Sequence, residues 1–367
     1  MKVGVFSPVL NYCGGAEWVA INIMAALKEH GHQVVLLTDK TLNQDKFKNV
    51  FNRQVSVDQQ IVFPLAIFPA LDYRNFYTDC MRSLFLKLNC DLLIDTYSNA
   101  ILPGMNISYI HYPLFSLLGK RLALLRSRVF YSPYWKYLDL NKKNLDKKLI
   151  LANSEFTSKA VEDVFRVNSH VLYPPVSNDI FKDPILDLGK ERTDTVLTIG
   201  RISHEKNLQL IPYIAQKTHK RIAFIIAGLL ASKEVLESLL ELIKKLGVAD
   251  RVKILPNVRR DHLKQLLWTS KVYLHPKINE HFGISIVEAM ASGCIPVVHN
   301  SGGAKEFVPR NLRYNNIEEA AETIETTIGN WSPVEARNLM EQAEQFSEEN
   351  FSKKFITLFN SYSNTYH

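Results

Sequence analysis

No stretch of this 367-residue chain is apolar for the ~18 residues that a membrane-spanning helix needs. Cysteine is sparse. Cys13, Cys80, Cys90 and Cys294 form no CxxC pair and no Cys/His cluster with zinc spacing. Reduced, unpaired thiols in a cytoplasmic protein are expected, without a structural metal. The opening Met1-Lys2-Val3-Gly4-Val5-Phe6-Ser7-Pro8 is too short and too soon broken for a secretory signal, and reads as a first core strand. Fixed-period repeats and low-complexity tracts are missing, and so is the G-x-G-x-x-G dinucleotide fingerprint, which makes a nicotinamide-dependent dehydrogenase a poor reading. What remains is an ordinary globular composition, 46% hydrophobic and 22% charged. Its length favours two domains of roughly 180 residues.

Short apolar runs alternate with helical patterns. In the first half, Val3 to Phe6, Gln33 to Thr38, Asp91 to Thr96, Ile107 to His111 and Leu149 to Asn153 read as strands. Gly15 to Glu29 reads as a buried helix, with Gly31 beyond its end. In the second half the strands are Asp194 to Ile199, Arg221 to Ala227, Val252 to Leu255, Val272 to Leu274 and Ile295 to Val298. Helices are expected at Asn207 to Lys217, Lys233 to Leu246, Asp261 to Thr269 and Ile284 to Ala291, and from Asn316 nearly to the end. Such alternation predicts two doubly wound α/β domains with mostly parallel sheets, and ligands beyond the C-terminal ends of the strands. Tyr173-Pro174-Pro175-Val176-Ser177-Asn178 extends neither sheet and marks the linker. The expected domains are therefore 1–176 and 177–347.

Chemistry concentrates in four places. Asn279-Glu280-His281-Phe282-Gly283-Ile284-Ser285-Ile286-Val287-Glu288 sets two carboxylates eight positions apart around a glycine that opens a helix. The free N–H groups and positive dipole end of that helix suit an anion, and the carboxylates suit hydroxyls on either side. A capping Glu280 and a surface Glu288 are the alternative. Gly200-Arg201-Ile202-Ser203-His204-Glu205-Lys206-Asn207 follows a strand and places two cations five residues apart, one a planar fork and one a point charge for phosphate oxygens. An exposed loop with ordinary surface charges is the plainer reading. Gly14-Gly15 at a helix start permits close backbone approach to a phosphate or sugar, or forms a simple turn. His111, in Ser108-Tyr109-Ile110-His111-Tyr112-Pro113, ends a strand.

Glu280-His-Phe-Gly-Ile-Ser-Ile-Val-Glu288-Ala-Met-Ala-Ser-Gly293-Cys-Ile-Pro296, followed by Asn300-Ser301-Gly302-Gly303-Ala304-Lys305-Glu306, resembles the Glu-x7-Glu signature of retaining glycosyltransferases of family 4. Gly14-Gly15-Ala16-Glu17 and Gly200-Arg201…Lys206-Asn207 resemble the same family's donor loops. His111-Tyr112-Pro113, Asn153-Ser154, Tyr173-Pro174-Pro175 and Asn279-Glu280-His281-Phe282-Gly283 are closer to one group within it. That group is the mannosyltransferases that extend the dolichol-linked oligosaccharide, with their archaeal and bacterial relatives. The resemblance implies a GT-B fold, in which the two domains face each other across a cleft and a last helix, here about 348–367, crosses back to the first domain. It departs at Pro256-Asn257, where many relatives carry a glycine in the element that reads the base, and over Gln44 to Arg74.

By that resemblance the chain transfers a hexose, most simply mannose from GDP-mannose, to a lipid-linked glycan. Gly14 and Gly15 would contact the sugar-diphosphate, Arg201 and Lys206 the diphosphate, Glu280 the sugar and Glu288 the ribose. Pro256, Asn257, Phe282, Gly283 and Ile284 complete the expected donor site, and His111 lies close to the transferred sugar. No Asp-x-Asp motif stands in a suitable loop, so no metal or other cofactor is expected and the two cations take its place. A UDP-sugar transferase in polysaccharide or glycolipid synthesis is the nearest alternative. A non-catalytic GT-B subunit or membrane scaffold is a second.

Net charge is +7, and residues 120–148 carry a surplus equal to all of it. Lys120, Arg121, Arg126, Arg128, Lys136, Lys142, Lys143, Lys147 and Lys148 face only Asp139 and Asp146, with Phe130, Tyr131, Tyr134, Trp135 and Tyr137 interleaved. This mixture suits an anionic membrane surface, or a solvated connecting helix whose aromatics pack inward. Lys120, Arg121, Arg126, Arg128, Trp135, Lys142 and Lys143 are the candidate membrane and acceptor residues, on a peripheral protein at the cytoplasmic face. Nucleic acid is not expected, since no binding motif accompanies the charge.

Overall fold

The computed structural model describes residues 1–63, 72–87, 89–118, 125–181 and 192–366, without the side chains of 72–75, 117–118, 125–128 and 366. They form two compact units, Met1–Pro175 with Glu349–His367, and Val176–Glu348.

The first unit holds seven strands: β1 (Lys2–Phe6), β2 (Gln33–Thr38), β3 (Gln59–Val62), β4 (Leu92–Asp95), β5 (Ile107–Ile110), β6 (Leu149–Ala152) and β7 (His170–Val171). Their order is β3-β2-β1-β4-β5-β6-β7, and every described pair is parallel. Val3, Val5, Val34, Leu36, Leu92 and Ile94 are buried, as continuous apolar strands covered on both faces must be. One face packs against the Gly15–Glu29 helix and against Phe351, Phe355 and Phe359 of the last helix, Glu348–Tyr366. The other packs against the helices Asp72–Lys87 and Leu125–Leu140, through Phe76, Tyr131 and Tyr134.

The second unit holds β8 (Thr193–Ile199), β9 (Ala223–Gly228), β10 (Val252–Pro256), β11 (Ser270–His275), β12 (Ile295–His299) and β13 (Arg313–Tyr314), in the parallel order β10-β9-β8-β11-β12-β13. In both sheets the order reverses beside the first strand, between β1 and β4 and between β8 and β11. Loops diverge at such a point and leave room for a ligand. Gly200–Asn207 follows β8, and Pro276–Gly283 follows β11.

One expected element changes, and two unexpected ones appear. The Asn207–Lys217 helix begins only at Leu210, because His204–Lys206 forms a 3-10 turn that Asn207 ends with φ 52°. Asparagine tolerates that left-handed backbone better than most residues. Within Gln44–Arg74, which matched nothing recognisable, lie the Gln44–Phe51 helix and the edge strand β3. Asp58 closes the edge by accepting from Val34 N at 2.7 Å and from Lys28 Nζ at 2.7 Å.

Candidate active site

Glu280 is the centre of the second unit's site. It follows the C-terminal end of β11 and is 7% exposed, a position a carboxylate holds only when its charge is met. Oε2 accepts from Lys206 Nζ and from His275 Nε2, each at 3.0 Å. Oε1 accepts from Lys277 Nζ at 3.0 Å and from the His281 amide at 3.1 Å. Burial by itself would raise the pKa of Glu280. The His275 bond and the two lysines outweigh it and hold the carboxyl well below its usual range. Burial lowers the pKa of His275 against the pull of Glu280, so the ring is neutral at pH 7. An ionised carboxylate only accepts, which places the imidazole proton on Nε2. Tyr273 supports the ring from behind, donating to Ile199 O at 3.0 Å and lying 2.8 Å from Ser285 Oγ. Lys206, Lys277 and Glu280 sum to one positive charge around neutral His275.

The backbone keeps this loop closed. Gly302 has φ +72°, and a Cβ there would stand 2.3 Å from Glu280 O. That same carbonyl accepts from Gly303 N at 2.8 Å. Gly283, with φ +95°, starts the Ile284–Ala291 helix, and no side chain caps it. Among the described residues no acceptor meets the Ile284 and Ser285 amides, which leaves a helix start of the kind that can accept an anion.

The structure brings Lys206 to Glu280 but keeps other expected residues away from that carboxylate. Arg201 is 42% exposed in its side chain and pairs with Glu205 at 3.2 Å. Glu288 accepts from Arg260 Nη1 at 2.8 Å. Phe282 is 2% exposed, packed on Phe307 and Phe346 with ring centroids 5.1 and 5.5 Å away. The short loop turns its ring inward, into the core of the second unit. Pro256 ends β10, and Asn257 accepts from Leu230 N at 3.0 Å to pin the neighbouring turn. His275 and Lys277 were not singled out from sequence. Their signal is position: a histidine and a lysine flank the proline that ends β11, directly before Glu280.

In the first unit, His111 follows β5. Its amide, at 2.8 Å, and that of Tyr112, at 3.2 Å, donate to Asn99 Oδ1, and its Nε2 donates to Thr96 O at 3.2 Å. Nδ1 is thereby left as the ring's acceptor. Burial pushes the His111 pKa down to about 4. Gly14 precedes the Gly15–Glu29 helix, yet its N–H is spent on Glu17 Oε2 at 2.7 Å. The reason is local: Glu17 sits at the third helical position and its carboxylate folds back, so this helix start carries its own anion.

Of the basic segment, Lys120 and Arg121 fall outside the described residues, and the side chains of Arg126 and Arg128 are likewise not described. Lys142 and Lys143 are exposed. Trp135 packs on Phe115 and Phe165 at 4.7 and 6.4 Å, and Tyr131 and Tyr134 are buried. The aromatics therefore follow the inward-packing alternative, drawn there by the apolar face of the sheet. Lys148 turns inward as well, donating to the carbonyl of Met105, and burial lowers its pKa to about 8. No described helix is long and apolar enough to cross a membrane.

Residues 186–348 match the family model "Glycosyl transferases group 1". Over 235 residues the chain is 32% identical to the GDP-Man:Man(3)GlcNAc(2)-PP-Dol alpha-1,2-mannosyltransferase of Dictyostelium discoideum, covering 57% of this chain and 46% of the relative. The chain thus spans about half the length of that relative. The Xenopus laevis protein of the same name is 27% identical over 361 residues, covering 83% of this chain and 74% of the relative. The fold is that of Anabaena Alr3699/HepE in complex with UDP and glucose, with TM-score 0.74, 19% identity and coverage of 98% and 100%.

Proposed function

From a chain of GT-B fold whose residues 186–348 match glycosyl transferases group 1, we propose a retaining hexosyltransferase. It takes mannose from GDP-mannose and passes it to a lipid-linked glycan at the cytoplasmic membrane face. The observation that carries the reading is the buried Glu280 held by Lys206, Lys277 and His275 at the point where the sheet order reverses. The names of the Dictyostelium and Xenopus relatives support the donor and the acceptor class.

A donor diphosphate carries more negative charge than Glu280 and reaches Lys206 from solvent. Lys206 can turn to it because Lys277 and His275 continue to hold the carboxylate. Glu280 then offers its oxygens to sugar hydroxyls, and Arg201 supplies a second cation to the phosphates, so no metal is required. As the bond from the anomeric carbon to the phosphate oxygen breaks, both cations stabilise the charge that develops. The acceptor hydroxyl attacks the same face, and its proton passes to the leaving phosphate oxygen. Both Glu280 oxygens are bonded, which weakens the carboxylate as a nucleophile and favours this route over a covalent intermediate. On the first unit, neutral His111, with Nδ1 left to accept, would orient a glycan hydroxyl. Exposed Lys136, Lys142, Lys143 and Lys147, with exposed Val129 and Leu140 nearby in sequence, would attach the first unit to an anionic membrane.

Calorimetric binding of GDP, GDP-mannose, UDP and UDP-glucose, in a metal chelator, tests the reading on wild type and Lys206→Ala. Preference for the guanine pair, lost in the variant, is expected. Preference for uridine would remove mannose while keeping the transferase, a requirement for metal would remove the role given to the cations, and no binding would leave a non-catalytic fold.

A further inference from the structure

Glu288 lies in the second turn of the Ile284–Ala291 helix, and one of its oxygens is already committed. Arg260, the first residue of the Arg260–Thr269 helix, donates Nη1 to Glu288 Oε1 at 2.8 Å and Nη2 to Asp179 Oδ1 at 3.4 Å. Lys264 closes the chain on Asp179 Oδ2 at 3.1 Å. Side-chain exposures of Arg260, Glu288, Asp179 and Lys264 are 15, 13, 24 and 14%. Two acids and two bases neutralise each other, so the network has no charge to offer an incoming phosphate. Burial would lower the pKa of Arg260, but Glu288 and Asp179 outweigh it and raise it. Among the described residues, Glu288 Oε2 has no hydrogen-bond partner.

We propose that Arg260 is a positioning residue: it holds Glu288, whose place at the ribose the family resemblance already implies, in the orientation from which that carboxylate reads the diol. The proposal rests on the donor reading above. A glutamate on a helix ordinarily rotates through several rotamers and loses that freedom on binding. Here Oε1 is tied to a guanidinium that is itself anchored by Asp179, which leaves Oε2 aimed and unpartnered. Two adjacent hydroxyls fit such a carboxylate, one on Oε2 and one shared with Oε1. The planar fork of arginine spans two carboxylates at once, and a lysine ammonium cannot reproduce that geometry.

The test compares the diphosphate of the preferred base with its 2′,3′-dideoxy analogue, by calorimetry, in wild type, Arg260→Gln and Arg260→Lys. Pyrophosphate serves as the control ligand. Wild type should favour the ribonucleotide by about 10- to 100-fold, the range of a hydrogen bond to a charged group. In Arg260→Gln that ratio should fall to about 3 or less. Affinities for the dideoxy analogue and pyrophosphate should stay within about twofold, since neither needs an aimed Glu288. Arg260→Lys preserves the charge and guards against a variant that fails to fold; its ratio should also drop. An unchanged ratio in both variants would overturn the proposal, as would parallel weakening of both nucleotides, the mark of a merely structural role. Wild type that binds nucleotide without preferring the diol would overturn it and leave the donor reading intact, whereas no nucleotide binding at all would remove both.

Discussion

Replacing Lys206 and Lys277 by methionine, singly and together, probes how the buried Glu280 is held. Each lysine lies 3.0 Å from a different oxygen of a side chain that is 10% exposed. In either single variant the carboxylate retains one lysine, neutral His275 and the His281 amide, so the loss is one bond among four, about 1 kcal/mol. In the double variant only the neutral donors remain, and a buried carboxylate without a cation costs about 3–5 kcal/mol. The pair should therefore exceed additivity by at least about 1 kcal/mol. In scanning calorimetry the singles should lower Tm by about 2–4 °C and the double by three or more times that. The pH response should also reverse. In wild type, burial keeps the His275 pKa below 6.5, so its contribution is present above that value and lost as pH falls. Without the lysines Glu280 dominates, the folded pKa of His275 rises above the unfolded one, and the variant should gain stability as pH drops from 8 to 6. Additive Tm shifts, or a double variant that loses stability on acidification as wild type does, would refute the charge-sharing argument.

Gly302→Ala, with φ +72° and a Cβ 2.3 Å from Glu280 O, should cost at least about 1–2 kcal/mol from the left-handed backbone alone; it should also abolish donor binding by moving the loop, and wild-type calorimetry of the variant would contradict this. His111 has a folded pKa depressed to about 4, so its contribution is fully present above the unfolded value near 6.5 and is lost as pH falls towards 4, by about 3 kcal/mol; His111→Phe should flatten that part of the stability profile, and identical profiles would count against a buried neutral ring. Asn99→Leu strips the acceptor from the His111 and Tyr112 amides and should cost about 1–3 kcal/mol, with a fall in kcat/KM that an Asn99→Asp variant largely avoids. Reversing Lys136, Lys142, Lys143 and Lys147 to glutamate should abolish flotation with anionic vesicles, each lysine contributing roughly 1 kcal/mol, and unchanged flotation would discard this surface.

Local pattern made much of the second unit legible. The Ile284–Ala291 helix, its glycine start and the position of Glu280 before it follow from residue type and spacing within a dozen positions, because backbone preference and hydrophobic period act over that range. The core strands were readable for the same reason: a parallel strand covered on both faces must be an unbroken apolar run. β3 was not readable, since Gln59-Gln60-Ile61-Val62 lies at an edge where burial imposes no pattern.

Which side chains meet was decided only by the tertiary structure. Lys206 and Glu280 stand 74 residues apart in sequence, and they touch because β8 and β11 are neighbours. Arg260 reaches Glu288 across 28 residues for a similar reason, through the turn after β10. The same packing turned the rings of Phe282 and Tyr134 into the cores and set Trp135 against Phe115, which residue type alone does not decide. A sequence specifies periodicity and local turn chemistry, since those depend on near neighbours. It does not specify which of several charged or aromatic residues will be desolvated, because that depends on which surfaces the whole fold presses together.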